Sequence, residues 1–303
     1  MTHSSLRHLD PSAGGPRILA GCSEIADRYG GFVLDLWGVI HDGETLYPGT
    51  VPCLQALRSR GKRTVLLSNA PRRTAVIEGQ LSAFGLPQEL YSDVVSSGEE
   101  VHRQLMTRMD PAFAALGSAC FHLGAARDRS VWEGTALDMV ATLSQASFIL
   151  NTGPWDDDAT VAQYEETLKE GVARDLPMIC ANPDLEVVRG NKLVLCAGAL
   201  AARYEALGGR VHYVGKPHEA VYRRCFEILG TSDPRRILAV GDSLRTDVAG
   251  AAALGMDSVF ITGGLHAAEQ GINPAIPPDP ARLAELYARE GVAPTAAMPM
   301  FAW

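Results

Sequence analysis

The sequence predicts an α/β fold: a parallel sheet wrapped by helices, with a second, smaller α/β unit inserted into it. Three observations carry that expectation. Four short apolar runs each stop at a polar residue, FVLDLWGV at Asp35, TVLLSN at Ser68, VHYVGKP at Lys216 and ILAVGDS at Asp242. Strands buried on both faces of a parallel sheet read as continuous apolar runs, whereas half-exposed strands alternate. Strand-like and helix-like stretches follow one another along the chain, the βαβ succession that builds such a sheet. Finally, 303 residues exceed what one hydrophobic core usually covers.

In chain order, residues 17–29 read as a helix and 32–37 as the first strand. VPCLQALRSRG is a helix stopped by Gly61, TVLLSN a second strand, and RRTAVIEGQLSAFG a helix ending at Gly85. SSGEEVHRQLMTRM opens on a serine cap with Glu99 and Glu100 in its first turn, where the helix dipole favours acids. Residues 109–210 carry strands in ACFHLG, ASFILNTG and LPMICANPD, with helices such as DDDATVAQYEETLKEGVARD between them, enough for a small α/β unit. The larger unit resumes at VHYVGKP. A helix over HEAVYRRCFEILG, the ILAVGDS strand, an Ala/Gly-rich helix and a late strand in DSVFITGG follow. Beyond Gly264 the Pro-rich INPAIPPDP reads as extended before a last helix, DPARLAELYAREG. The expected division is a mobile tail at 1–15, a discontinuous core at 16–108 and 211–303, and an insertion at 109–210.

Composition narrows the function classes. A formal charge of -8 argues against a nucleic-acid or anionic-membrane surface. The chain has no apolar run long enough to span a bilayer, and MTHSSLRHLDPSAGG lacks the basic-then-apolar order of a secretory signal, so a cytoplasmic location with no membrane partner is expected. The six cysteines, Cys22, Cys53, Cys120, Cys180, Cys196 and Cys225, never take a C-x-x-C spacing and read as small core residues in a reducing compartment. Cys120 and His122 would share a strand face, but no further ligand pair lies near them.

In open α/β sheets the ligand sits beyond the carboxyl ends of the strands. One edge of one sheet is therefore expected to gather two carboxylates, a hydroxyl and an ammonium. Asp242 at a strand end, with Asp247 five residues on at the mouth of a helix, suits a hard divalent cation such as Mg²⁺, which takes carboxylate oxygens and keeps several waters. The order Asp35, Ser68, Lys216, Asp242, with GDSLRTDVAGA, VGKP, LLSNAPR and ANPD in place, resembles the haloacid dehalogenase (HAD) superfamily. It looks like subclass IIA in particular, the p-nitrophenyl phosphatase, phosphoglycolate phosphatase and nucleotide phosphatase-like group with a large inserted cap. The likeness runs from about Gly31 to Gly264.

That resemblance implies a Rossmann-like HAD core with an α/β cap, and a Mg²⁺-dependent hydrolase acting through an aspartyl-phosphate. Asp35 would be the nucleophile. Ser68, Asn69 and Gly38 would hold the transferring phosphoryl group, and Lys216 would offset its charge. Mg²⁺ would take Asp35, the main-chain carbonyl of Trp37 and Asp242, with Asp247 supporting that set. The cap would choose a small soluble phosphomonoester, with Asn182, Asp184, Trp155 and Asp156 as loop residues facing it, and a homodimer is an assembly the resemblance allows.

Trp37 departs from the pattern. Phosphatases of this superfamily usually carry a second Asp there, which protonates the leaving alkoxide, and an indole N–H cannot shuttle a proton at neutral pH. Three readings stay open: His41 or Asp42 in the following turn supplies the acid; the phosphoenzyme forms but resolves slowly or passes its phosphoryl to another acceptor; or the fold binds and senses a phosphometabolite without turnover. A dehalogenase is disfavoured because halide displacement from carbon needs no Mg²⁺. An NAD-linked enzyme is disfavoured because no G-x-G-x-x-G follows the first strand.

Overall fold

Two parallel sheets organise the chain in the computed structural model, which describes residues 16–189, 192–265, 267 and 278–303. The expected tail at 1–15, and residues 272–277 of the Pro-rich segment, lie outside the described residues. The first sheet has the order β13-β12-β11-β1-β2-β3. It is built from β1 (Gly31–Leu34), β2 (Arg63–Ser68), β3 (Asp93–Ser96), β11 (Ile237–Gly241), β12 (Asp257–Ile261) and β13 (Ala296–Met298). Every pairing is parallel. From β1 the chain steps outward to β2 and β3. After the insertion it steps the other way from β11 to β12 and β13, so the strand order reverses between β1 and β11. A crevice at the carboxyl ends of those two strands is where such sheets bind ligands.

The continuous apolar runs have the predicted cause. β1 and β11 are buried along their whole length, and their side chains alternate between two cores. Phe32 and Leu34 pack with Leu54 and Leu57 of α1 (Thr50–Ser59) and with Ile77 and Leu81 of α2 (Thr74–Ala83). On the other face Val33 and Val65 pack with Val221, Tyr222, Cys225 and Leu229 of α7 (Glu219–Leu229), residues at helical spacing.

The insertion forms the second sheet, order β10-β7-β6-β4-β5, from β4 (Ala119–Leu123), β5 (Asp138–Val140), β6 (Phe148–Asn151), β7 (Met178–Cys180) and β10 (Val211–Tyr213). It too is wholly parallel. A separate antiparallel pair joins β8 (Glu186–Arg189) to β9 (Lys192–Leu195). α3 (Ser97–Thr107) leads into the insertion. As predicted, it is capped by a serine, Ser96, whose side chain accepts the Glu99 N–H.

Three expectations need correction. Residues 17–29 do not form a helix but a β-bridge at Ile18 and two 3₁₀ turns, Cys22–Glu24 and Ala26–Arg28. The Leu19 and Cys22 amides donate to the carbonyls of Ala297 and Ala302, 2.8 Å each, so pairing with the distant C-terminal segment displaces the local helix. The VHY strand belongs to the second sheet, where Val211 stands opposite Met178; the chain therefore leaves that sheet only after Tyr213, not at residue 211. The long helix expected over DDDATVAQYEETLKEGVARD is a 3₁₀ turn, Val161–Tyr164, followed by α5, Glu165–Ala173. Among the described residues no helix is long and apolar enough to cross a membrane.

Candidate active site

The crevice between β1 and β11 holds a buried cluster of charge. Asp35 follows β1 directly; its amide donates to Val240 O at 2.9 Å, continuing the strand ladder and fixing where the carboxylate starts. Asp242 follows β11, and its Oδ2 accepts the Leu265 N–H at 2.7 Å. A π-helical turn, Leu244–Val248, then precedes α8 (Ala249–Leu254). The wider turn carries Asp247 back against the strand end, where its Oδ2 accepts the Ser243 N–H at 3.3 Å. The three residues each offer a carboxylate oxygen, all within 4.8 Å of one another.

Lys216 enters this cluster from the other sheet, three residues beyond β10. Its Nζ lies 2.7 Å from Asp35 Oδ1 and 2.8 Å from Asp247 Oδ1, with only 2% of the side chain exposed. Asn69 holds its main chain on both sides: Asn69 Oδ1 accepts the Lys216 N–H at 2.7 Å and Nδ2 donates to Lys216 O at 3.1 Å. The same Nδ2 donates to Asp184 Oδ1 at 2.9 Å. Gly215 has φ +130°, and a Cβ there would stand 2.5 Å from Asn69 Oδ1, so this approach needs glycine.

The expected residues Ser68, Asn69, Gly38, Asn182 and Asp184 gather around this cluster. Ser68 ends β2, buried, its Oγ accepting the Ala70 N–H at 3.1 Å. Gly38 has φ +73°, and a Cβ on it would sit 1.9 Å from Asp242 Oδ2; the carboxylate lies directly against the main chain of the turn after Trp37. Asn182 Oδ1 accepts the Asp184 N–H, shaping the NPD turn that brings Asp184 to Asn69. Trp155 and Asp156 bond within the insertion instead, Trp155 N–H to the Tyr164 hydroxyl and Asp156 Oδ1 to the Asp158 N–H.

Burial and like charges set the protonation of the cluster. Burial, then Asp247, push the Asp35 carboxyl well above the usual range, against the pull of Lys216. Asp242 is pushed up to about 7 by burial and by Asp247. Burial alone would lower Lys216, but Asp247, Asp35 and Asp184 outweigh it and hold the ammonium well above its ordinary value. With all groups charged, Asp35, Asp242 and Asp247 against Lys216 leave two net negative charges on buried side chains. That balance, and a donor set made wholly of oxygen, fits a divalent hard cation.

The turn after Asp35 is closed on itself. His41 is buried; its Nδ1 accepts the Gly43 N–H at 3.0 Å, and its ring meets Trp37 and Phe84 edge to face at 5.1 and 5.3 Å between centroids. Burial lowers it to about 4. Burial raises the Asp42 carboxyl, but its Oδ1 accepts the Glu44 and Thr45 amides, and the main-chain bonds together outweigh burial and keep the group below its ordinary value.

Sequence reasoning missed the roof of the site. Arg189, at the end of β8, places its guanidinium 5.7 Å from the Trp37 ring centroid. EVVRGNKLVL carries two short valine-containing runs around a Gly-Asn pair, which is the sequence mark of a hairpin. Arg72, three residues after Asn69, pairs with Asp128 of the insertion at 3.1 Å.

Comparison with known proteins agrees with this geometry. A family model described as haloacid dehalogenase-like hydrolase matches residues 32–137, and one described as HAD-hydrolase-like matches residues 213–286. A solved hydrolase of the haloacid dehalogenase-like family from Brucella suis 1330 is 34% identical, with a TM-score of 0.79 over 94% of this chain and 100% of that one. Rat (Rattus norvegicus) chronophin is 28% identical over 270 residues, 83% of this chain and 82% of that protein. The acid sugar phosphatase of Staphylococcus aureus (strain USA300) is 20% identical over 263 residues, 83% of this chain and 93% of that protein. With a relative at this identity spanning nearly the whole chain, and with carboxylates placed at the switch point of a Rossmann-like sheet, the chain belongs to the haloacid dehalogenase-like hydrolase family.

Proposed function

We propose that this hydrolase is a Mg²⁺-dependent phosphatase of small soluble phosphomonoesters, with Asp35 as nucleophile. The observation that carries this reading is the Lys216 ammonium, shared between Asp35 and Asp247 beside Asp242 at the β1/β11 crevice. Asp35, Asp242 and the Trp37 carbonyl would hold Mg²⁺, with Asp247 behind them; when bound, the ion supplies Lewis-acid stabilisation of phosphoryl charge. One Asp35 oxygen forms a bond to phosphorus while the ester P–O bond breaks, its electron pair leaving with the alcohol oxygen. A water oxygen then attacks phosphorus and frees the Asp35 carboxylate. Lys216 holds charge beside the nucleophile throughout, and Ser68 with Asn69 orients the phosphoryl group.

Neither His41 nor Asp42 replaces the missing acid in this reading. A ring whose Nδ1 accepts a main-chain amide, and a carboxylate engaged with two amides of its own loop, are turn-building groups. The leaving oxygen therefore takes its proton from water, and the enzyme favours leaving groups that need little help. The inserted unit acts as the cap, ending at Tyr213 and bringing Asp184 to the site. Trp37 also supports a second reading, in which the same site binds or transfers a phosphoryl group without efficient hydrolysis.

Phosphate release from p-nitrophenyl phosphate, with and without Mg²⁺, tests this on wild type and Asp35→Asn. Turnover that needs Mg²⁺ and disappears in the variant is expected. Turnover that survives the substitution would remove Asp35 from the nucleophile role, and no release from wild type would favour the second reading.

A further inference from the structure

The insertion also reaches the crevice through the turn Asn182-Pro183-Asp184, where the half-buried Asp184 accepts a hydrogen bond at Oδ1 from Asn69 Nδ2 at 2.9 Å. That turn is held from behind by three bonds. Asn182 Oδ1 accepts the Asp184 N–H at 3.0 Å, the Cys180 thiol donates to Asn182 O at 3.3 Å, and the Gly198 amide donates to Asp184 O at 3.0 Å. Space around it is tight as well: a Cβ on Gly198 would stand 2.2 Å from Pro183 O, and one on Gly215 would stand 2.8 Å from Pro183 Cδ. The carboxylate is carried on a braced arm that packs against the link leading to Lys216.

Asn69 has one orientation that suits these neighbours. Asp184 Oδ1 and Lys216 O both accept, so the two Nδ2 hydrogens face them, while the Lys216 N–H donates, so Oδ1 faces it. Both amide hydrogens are then committed. Turning the amide over would set its oxygen against a carboxylate and a carbonyl at once, and Asp184 is the partner from the insertion that forbids this. The Asp184 carboxylate is poorly suited to holding a phosphoryl group itself. That group is anionic, and Asp184 adds its charge to those of Asp35, Asp242 and Asp247 against it.

We infer that Asp184 is a positioning residue: by orienting the Asn69 amide it fixes the main chain of Lys216, and with it the ammonium that Asp35 and Asp247 share. This deepens the phosphatase reading and rests on it. Asp184 then stands behind the lysine and not against the organic part of the substrate.

The test is a double-substitution cycle. With Mg²⁺ present, kcat/KM for p-nitrophenyl phosphate and for acetyl phosphate, whose leaving groups differ in size, is measured on wild type, Asp184→Ala, Asp184→Asn, Asn69→Ala and Asp184→Ala combined with Asn69→Ala. Asp184→Ala is expected to lose about 10- to 100-fold, equally for both substrates, because the lysine and not a leaving-group contact is displaced. Asp184→Asn keeps a carbonyl oxygen that accepts from Asn69, and is expected to recover most of that loss. The combined variant is expected to be no slower than Asn69→Ala, since the first residue acts through the second. A purely structural loss would instead multiply with that of Asn69→Ala. Losses that multiply, losses that differ between the two substrates, or an Asp184→Asn variant as slow as Asp184→Ala overturn the inference. Calorimetric binding of inorganic phosphate with Mg²⁺ to the same proteins reads the cycle without turnover. If wild type hydrolyses neither substrate, but Asp184→Ala weakens phosphate binding and adds nothing once Asn69 is alanine, the phosphatase reading has failed and the positioning role stands. Phosphate binding that Asp184→Ala leaves unchanged overturns the role as well.

Discussion

On the proposed Mg²⁺-dependent reading, removing the cation should destabilise this protein most at neutral pH, and Asp242 sets the size of the effect. Its native carboxyl is held up to about 7, against 3.8 in an ordinary environment, by burial and by the Asp247 charge. Between those values the unfolded chain has released its proton and the metal-free native state still binds one. Stability therefore falls as pH rises through this window. Each unit is worth about 1.4 kcal/mol, so a window of about three units gives a ceiling near 4 kcal/mol. A cation that needs the carboxylate replaces the proton and relieves the cost, so Mg²⁺ should stabilise weakly at about pH 5 and strongly at about pH 7.5. Urea unfolding with saturating MgCl₂ or with EDTA at both pH values measures the difference directly, and Asp242→Asn should abolish most of its pH dependence. Equal Mg²⁺ stabilisation at the two pH values, or the same pH dependence in Asp242→Asn, would refute the reasoning.

Other outcomes follow from single contacts. His41 carries the opposite slope: with its native value near 4 against 6.5, the unfolded chain gains a proton first on acidification, so stability is lost as pH falls from 6.5 towards 4. That loss reaches about 3 kcal/mol and should flatten in His41→Asn, which urea midpoints across the range will read. Trp37→Asp should raise turnover of glycerol 3-phosphate relative to p-nitrophenyl phosphate, by up to about 10²-fold if the new carboxyl protonates the alkoxide; an unchanged ratio in steady-state assays would mean it does not. Gly38→Ala meets both an unfavourable φ and the Asp242 carboxylate, and a loss of more than about 1 kcal/mol with weakened Mg²⁺ binding by calorimetry is expected. Ser97→Ala removes the hydroxyl that lies 2.7 Å from Asn69 O and 2.6 Å from Ala181 O, across the junction between the sheets. It should cost about 1–3 kcal/mol in denaturant unfolding, since a carbonyl of a buried residue loses the one proton this hydroxyl donates.

Asp35, Ser68 and Asp242 were legible because each stands at or just past the end of a buried strand, and a strand buried on both faces writes itself locally as an apolar run. The reversal that brings β1 beside β11 follows from the same runs once a βαβ order is assumed. What the sequence does not encode locally is the choice of partner. VHY is a three-residue run whose apolar character serves either sheet equally, and the pairing of Val211 with Met178 decides it. The segment 17–29 fails for the same reason: its helical spacing is real, but the carbonyls of Ala297 and Ala302 compete for its amides. The misplaced strand matters most for Lys216. Its ammonium sits between two carboxylates of the first sheet, its main chain is held by Asn69 at the end of β2, and yet the chain reaches it from β10 through Val214 and Gly215. Val214 is itself tied back, its amide donating to Cys180 O of β7 at 3.0 Å. The charge that pairs with Asp35 is thus positioned by both sheets at once, and a shift of the inserted unit that strains the Val214–Gly215 link bears on the Asn69–Lys216 bonds and, through them, on the contacts of the ammonium with Asp35 and Asp247.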